Sequence, residues 1–127
     1  MEYTAQILII IYILITFIYS ALEKIFQWKQ SKDYYQSHFK NTFIERFIPL
    51  SLFLVIFMEI VTVVLSVIGL YNLILFDDKK IGLYAMGAAA ITLLGLMTGQ
   101  RITKDYPGAM LITVYFILAV FGVFLLQ

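Results

Sequence analysis

Glu59 is the one charged position in an apolar run from Phe47 to Phe76. A carboxylate at the centre of a membrane helix costs about 2.5–3.5 kcal/mol on insertion scales, so it faces a partner, a cavity or water rather than lipid. Three chemistries are open to it. It could be a proton-coupled or substrate-binding carboxylate, half of a structural ion pair, or a neutral acid hydrogen-bonded to Thr62 or to a backbone carbonyl. Ionisable residues inside a membrane are functional candidates by default, which makes Glu59 the candidate catalytic or binding carboxylate.

The remaining charged groups gather near the ends of apolar stretches. Glu23 and Lys24 close the first, and Gln100, Arg101, Lys104, Asp105 and Tyr106 link the last two. Glu23, Lys24, Arg101, Asp105 and Tyr106 are therefore candidates for contact with a substrate, a lipid or an anion. Arg101 could pair with Glu23 or Asp105 or hold an anionic headgroup, while the plain alternative is basic side chains that only snorkel to the interface. Glu59 lies about twelve residues from Phe47, roughly 18 Å along a helix, so pairing with this surface cluster is not expected. The expectation is a protonated, hydrogen-bonded Glu59 with the charged work done elsewhere. His38 is the only histidine and cysteine is absent. That rules out a multi-histidine or cysteine-ligated metal centre, a thiolate nucleophile and a disulfide relay, and it leaves His38 as a solvated loop residue.

Membrane helices are the elements that must position these groups. The 127 residues are 62% hydrophobic and 13% charged, with a mean hydropathy of +0.93, more apolar surface than a soluble domain of this length can bury. A formal net charge of +1 offers no basic field for nucleic acid. Uncharged or nearly uncharged stretches at about 3–22, 47–76, 81–100 and 106–127 each reach the roughly 20 residues that cross about 30 Å of hydrocarbon. Their apolar residues surround every turn instead of alternating, as barrel strands would. The expectation is an all-α, polytopic membrane protein, one four-helix transmembrane domain over 1–127. The first stretch is read as a retained helix and not a signal peptide, because no Lys or Arg precedes it and its apolar run is long.

Positive charge sets the expected orientation. Lys24, Lys29, Lys32, Lys40, Arg46, Arg101 and Lys104 fall in the first and third connections, against Lys79 and Lys80 in the second. The positive-inside rule then puts both termini outside a bacterial cytoplasmic (inner) membrane. Between Glu23 and Arg46, the aromatics Trp28, Tyr35, Phe39, Phe43 and Phe47 recur at helical spacing, which predicts an amphipathic helix at the membrane interface between spans one and two. Its plain role is anchoring, and the alternative is a lid that touches substrate.

Polar and small residues mark the inward faces. Glu59, Thr62, Ser66 and Gly69 share a face of the second span, and Tyr12, Thr16, Ser20, Glu23 and Gln27 share one on the first. The third span carries Gly95 and Gly99, a small-xxx-small pair that invites close approach of a neighbouring helix, within one chain or between chains of a homo-oligomer.

The segments Ser20-Ala-Leu-Glu-Lys24, the span around Glu59, and Gly99-Gln-Arg-Ile-Thr-Lys-Asp-Tyr-Pro-Gly-Ala109 resemble the DoxX-like family of small four-helix membrane proteins, over nearly the whole chain. Many members have a glycine shortly before the lysine of the first motif, where this chain has Ser20, Ala21 and Leu22. The resemblance implies that Lys24, Glu59, Arg101 and Asp105 occupy the family's polar positions. It also implies an accessory membrane component associated with a quinone or with an oxidoreductase partner. The chain itself has no haem ligand pair or nucleotide loop, so no cofactor is evident beyond a possible quinone, and the residues decide neither for nor against an enzyme. Two other readings stand beside it: a small proton-coupled transporter, and a lipid-binding protein or membrane isomerase using Glu59.

Overall fold

The computed structural model describes residues 3–40, 42, 47–102 and 104–127. Five helices follow one another: α1 (Thr4–Phe26), α2 (Trp28–His38), α3 (Ile48–Phe76), α4 (Lys80–Ile102) and α5 (Tyr106–Leu126). All but α2 are long and apolar enough to cross a membrane. This is the four-span, all-α membrane bundle that the charge pattern predicts, with the short α2 between the first two spans. Its outer surface is apolar, with Leu8, Ile15, Phe53, Phe57, Ile91 and Phe124 among the exposed residues. Lipid solvates such a surface, while each helix satisfies its own backbone.

Local sequence fixes the turns. At the α3–α4 hairpin Asp77 takes a left-handed conformation with φ 52°, which a short polar side chain tolerates better than most. Asp78 then accepts a hydrogen bond from the Lys80 backbone N–H at 3.0 Å. At the α4–α5 turn Asp105 caps α5 by accepting from Gly108 N–H at 3.2 Å, and Pro107 occupies the first turn, where its missing N–H is harmless. A Cβ on Gly108 would lie 2.6 Å from Asp105 Oδ2, so a larger residue there would displace the capping carboxylate.

The helices form a ring: α1 packs on α3, α3 on α4, α4 on α5, and α5 returns to α1 through a smaller contact. The closest backbone approach is not at Gly95 and Gly99. A Cβ at Gly95 would meet nothing within 4 Å, and one at Gly99 would meet only the ring of Phe39. The touching backbones belong to α3 and α4, where a Cβ on Gly69 would lie 2.6 Å from Gly82 N. The tight hairpin brings these two glycines level, so the pair that matters lies on two helices rather than four residues apart on one.

Around that contact the bundle is close-packed. Ile10, Ile13, Ala85, Met86, Ala89 and Ala119 have no exposed surface, and Met86 presses on Gly122, where a Cβ would lie 2.9 Å from its Cγ. The other half, near α2, is looser. There α1 ends, α3 begins and the α4–α5 turn closes the chain back, so four helix ends meet under one short amphipathic helix.

That helix is shorter than its aromatic spacing suggests. α1 continues to Phe26 and takes in Glu23 and Lys24, and α2 spans only Trp28–His38. Phe39 caps it, while Phe43 and Arg46 lie outside the described residues. His38 is not a solvated loop residue. It sits half-buried in the last turn of α2, with Nε2 3.1 Å from Gln100 Oε1 and 3.8 Å from Asp105 Oδ2. Phe39 and His38 thus pin α2 to the end of α4.

Candidate functional site

The inward stripe on α3 runs where its spacing predicts. Leu52, Ile56, Glu59, Thr62, Ser66, Gly69 and Leu73 are buried at intervals of three or four, the repeat that keeps residues on one helical face. On α1 the buried face differs from the expected polar stripe. Ile13, Phe17, Ala21 and Lys24 are buried, whereas Tyr12, Glu23 and Gln27 are exposed and Thr16 and Ser20 lie at the edge. A lysine therefore completes an otherwise apolar inward face.

Lys24 and Glu59 meet there. Lys24 Nζ lies 2.6 Å from Glu59 Oε1 and 2.8 Å from Ser20 Oγ, with Lys24 8% and Glu59 1% exposed. This corrects the expectation of an isolated Glu59 bonded to Thr62 or a backbone carbonyl, since the Thr62 hydroxyl donates to the Met58 carbonyl instead. The physical reason is the length of α3. Its 29 residues span about 44 Å, well beyond the roughly 30 Å of hydrocarbon, so counting inward from Phe47 overstates the depth of Glu59. Counted from Phe76, Glu59 is about 26 Å along the helix, which brings it toward the face where α1 ends. The flexible lysine stem closes the remaining gap.

The pair stands in the wall of a cavity of about 390 Å³. Leu52, Val55, Leu93, Leu96 and Ile112 give it an apolar surface, and Tyr35 of α2 and the capping Phe39 complete its lining. A second cavity of about 350 Å³ lies between α1 and α2 and is polar, with Glu23, Gln27, Gln30 and Ser31 in its lining. Ser20, Lys24 and Tyr35 border both.

Tyr35 is a site residue that the sequence pattern marks only as one of several interfacial aromatics. Burial pushes its phenol above the ordinary value of 10.0, and the negative charges of Glu59 and Glu23 and neighbouring Tyr34 add to this. Tyr35 therefore remains a neutral O–H at any physiological pH. Its heptad spacing from Trp28 was the available signal. The pairing of Tyr35 with α1 and α3 was not readable, because it depends on how α2 folds back.

The expected surface cluster does not assemble around the pair. Lys24 turns inward, and Glu23 faces the polar cavity. The Arg101 guanidinium lies over the Tyr106 ring, 5.5 Å from its centroid, and Asp105 serves as the α5 cap. Among the described residues Arg101 pairs with neither Glu23 nor Asp105.

Chemically, the pair offers a bifunctional contact. An ammonium has three N–H donors, and two of Lys24's are engaged by Ser20 and Glu59. Glu59 Oε2 is buried with no hydrogen-bond partner among the described residues. A ligand oxygen could accept from Lys24 while a hydroxyl of the same ligand donates to Glu59 Oε2. No group of three or more metal-ligating side chains occurs among the described residues. Compared with protein-family models, curated proteins and solved structures, the chain matches none.

Proposed function

We propose that the chain binds a lipophilic molecule with an oxygen-bearing head, of the quinone or quinol class, and acts as an accessory membrane component for a redox partner. The observation that carries this is the Lys24–Glu59 pair in the wall of an otherwise apolar cavity. Burying an ion pair is expensive unless its remaining donors and acceptors are used. Here one donor and one carboxylate oxygen remain, which suits a quinone carbonyl accepting from Lys24 and, in the reduced quinol, a hydroxyl that also donates to Glu59 Oε2. Apolar walls suit an isoprenoid or acyl tail. The resemblance to DoxX-like proteins supports the same reading, since it implies a quinone-linked role and polar positions at Lys24 and Glu59. The excess of Lys and Arg in the first and third connections supports a cytoplasmic location for α2 and the cavity in a bacterial inner membrane.

The proton-coupled transporter is less favoured, because a carrier needs a route to the other face. Beyond Glu59 the bundle axis is filled by Ile10, Ile13, Leu73 and Met86, each no more than 1% exposed. A lipid binder or isomerase would use the same cavity and differs only in the ligand.

The test is a titration of the purified protein in lipid nanodiscs with a short-tailed quinone. Binding is read by quenching of Trp28, the single tryptophan, and by native mass spectrometry. Saturable binding of one quinone per chain, weakened at least ten-fold by Glu59→Gln, is expected. Equal binding by the variant, or none by the parent alongside retention of one phospholipid, would turn the reading toward a lipid binder.

A further inference from the structure

The two cavities differ in character and share one wall. On the bundle side the lining is apolar and contains the buried carboxylate of Glu59. On the α1–α2 side it consists of a carboxylate, two amides, hydroxyls and phenols. The residues common to both are Ser20, Lys24 and Tyr35, and Lys24 holds Ser20 and Glu59 at once. All three are polar side chains able to donate or relay a proton. Toward the Gly69–Gly82 end of the bundle Glu59 is closed in. The next polar group on its face beyond Thr62 is Ser66, fully buried and without a hydrogen-bond partner among the described residues. Past it lies the Gly69–Gly82 backbone contact.

From these observations we propose that the polar cavity between α1 and α2 is the aqueous antechamber of the Lys24–Glu59 pair. Water and protons reach Glu59 from the α2 side only, across Ser20, Lys24 and Tyr35. Protonation there converts an ammonium–carboxylate pair into an ammonium beside a neutral acid, the proton being taken from water in the antechamber and the added positive charge facing Glu23 across the wall. The titratable groups that line the bundle-side cavity together with Glu59 are Lys24 from α1, Tyr35 from α2 and Tyr115 from α5, while α4 contributes the uncharged Thr98 and Gln100. Lys24 and Tyr35 are thus the two ionisable side chains shared with the antechamber. For its purpose this route rests on the ligand reading above, because a quinone head takes up or releases protons when its redox state changes. Its geometry does not depend on that reading.

The absence of cysteine gives a clean background for the test. Single variants Ser31→Cys in the antechamber, Ser20→Cys in the shared wall and Ser66→Cys in the sealed half are reconstituted into sealed vesicles of known orientation. They are then treated with a small, charged, membrane-impermeant methanethiosulfonate. The reagent attacks the thiolate, so reaction at a position reports both access and loss of the thiol proton to water. Ser31→Cys and Ser20→Cys are expected to react from the α2 side only, at rates that rise with pH. Filling the antechamber with Gln30→Trp should slow Ser20→Cys at least ten-fold, and Ser66→Cys should react from neither side. The proposal is overturned if Ser20→Cys is inert to the impermeant reagent while a membrane-permeant maleimide labels it. It is equally overturned if Ser20→Cys or Ser66→Cys reacts from the opposite side. One-sided labelling of Ser20→Cys in protein that binds no quinone would uphold this route and overturn the ligand reading alone.

Discussion

Removing Lys24 should be far more damaging than its position near a helix end suggests. In Lys24→Met the carboxylate of Glu59, 1% exposed, loses its only hydrogen-bond partner among the described residues. Breaking a buried pair by deleting one member costs about 3–5 kcal/mol, whereas replacing both by apolar groups of similar size is near neutral or stabilising by about 1–4 kcal/mol. The structure adds an asymmetry. In Glu59→Leu the stranded lysine can turn its ammonium into the polar cavity it already borders, beside Glu23 and Gln27. Glu59 has no such exit, since it borders the largely apolar cavity and not the polar one. The expected order of stability places Lys24→Met lowest, Glu59→Leu between, and the double variant Lys24→Met/Glu59→Leu at or above the parent. Reversible unfolding in mixed micelles, followed by helical circular dichroism and Trp28 fluorescence, measures this as a double-mutant cycle. A Lys24→Met variant within about 0.5 kcal/mol of the parent would refute the reasoning, being the scatter expected of substitutions that touch no such feature. So would a double variant that merely sums the two single losses.

Three further outcomes follow from the same geometry. Gly69→Ala forces a methyl to within 2.6 Å of the Gly82 backbone nitrogen, which a side-chain rotation cannot relieve. It should destabilise the bundle by about 1–3 kcal/mol, the usual range for overpacking, while Gly87→Ala, with nothing within 4 Å, should be neutral in the same unfolding assay. Asp105→Ala removes the α5 cap and should lower stability by about 1 kcal/mol; faster amide exchange confined to the first turn of α5 and the last of α2 would confirm the site. Tyr35 carries a raised phenol pKa, from burial first and Glu59 second. On unfolding it returns to the ordinary value near 10.0, so its contribution to stability is intact below that value and lost as pH climbs through the folded pKa. Tyr35→Phe should flatten the alkaline fall in stability, and an unchanged alkaline profile would contradict the burial of this phenol.

Much of the architecture is legible in the sequence because transmembrane segments announce themselves by composition. The four spans needed only the charge gaps, and the α3 stripe needed only a period of three and four. The pair was hidden for a different reason. Distance from the edge of an apolar run measures depth only when the run matches the bilayer, and the run containing Glu59 is longer than a bilayer is thick. An overlong helix shifts its interior residues toward one surface by an amount that only its neighbours fix. Lys24 was visible as a charge at the end of a span, but its spacing of three from Ala21 and seven from Phe17 also places it on the apolar face. That register is the sequence signal for its inward orientation. Gly95 and Gly99 drew attention as a local motif, yet the functional glycine contact joins Gly69 to Gly82 across a hairpin, a pairing set by the turn at Asp77 and Asp78. Tyr35 and His38 were unreadable for a related reason. What they touch depends on the path of α2 over the helix ends, and periodicity within α2 carries no information about that path.

If the Lys24–Glu59 pair is the polar wall of a quinone-binding cavity, removing the pair must remove the site. The double variant Lys24→Met/Glu59→Leu, its fold checked by helical circular dichroism, deletes both polar contacts. Short-tailed quinone is titrated into parent and double variant in nanodiscs, with bound quinone counted per chain by native mass spectrometry. One saturable site is expected in the parent and none over the same concentration range in the folded double variant. Equal occupancy in the two proteins would contradict it.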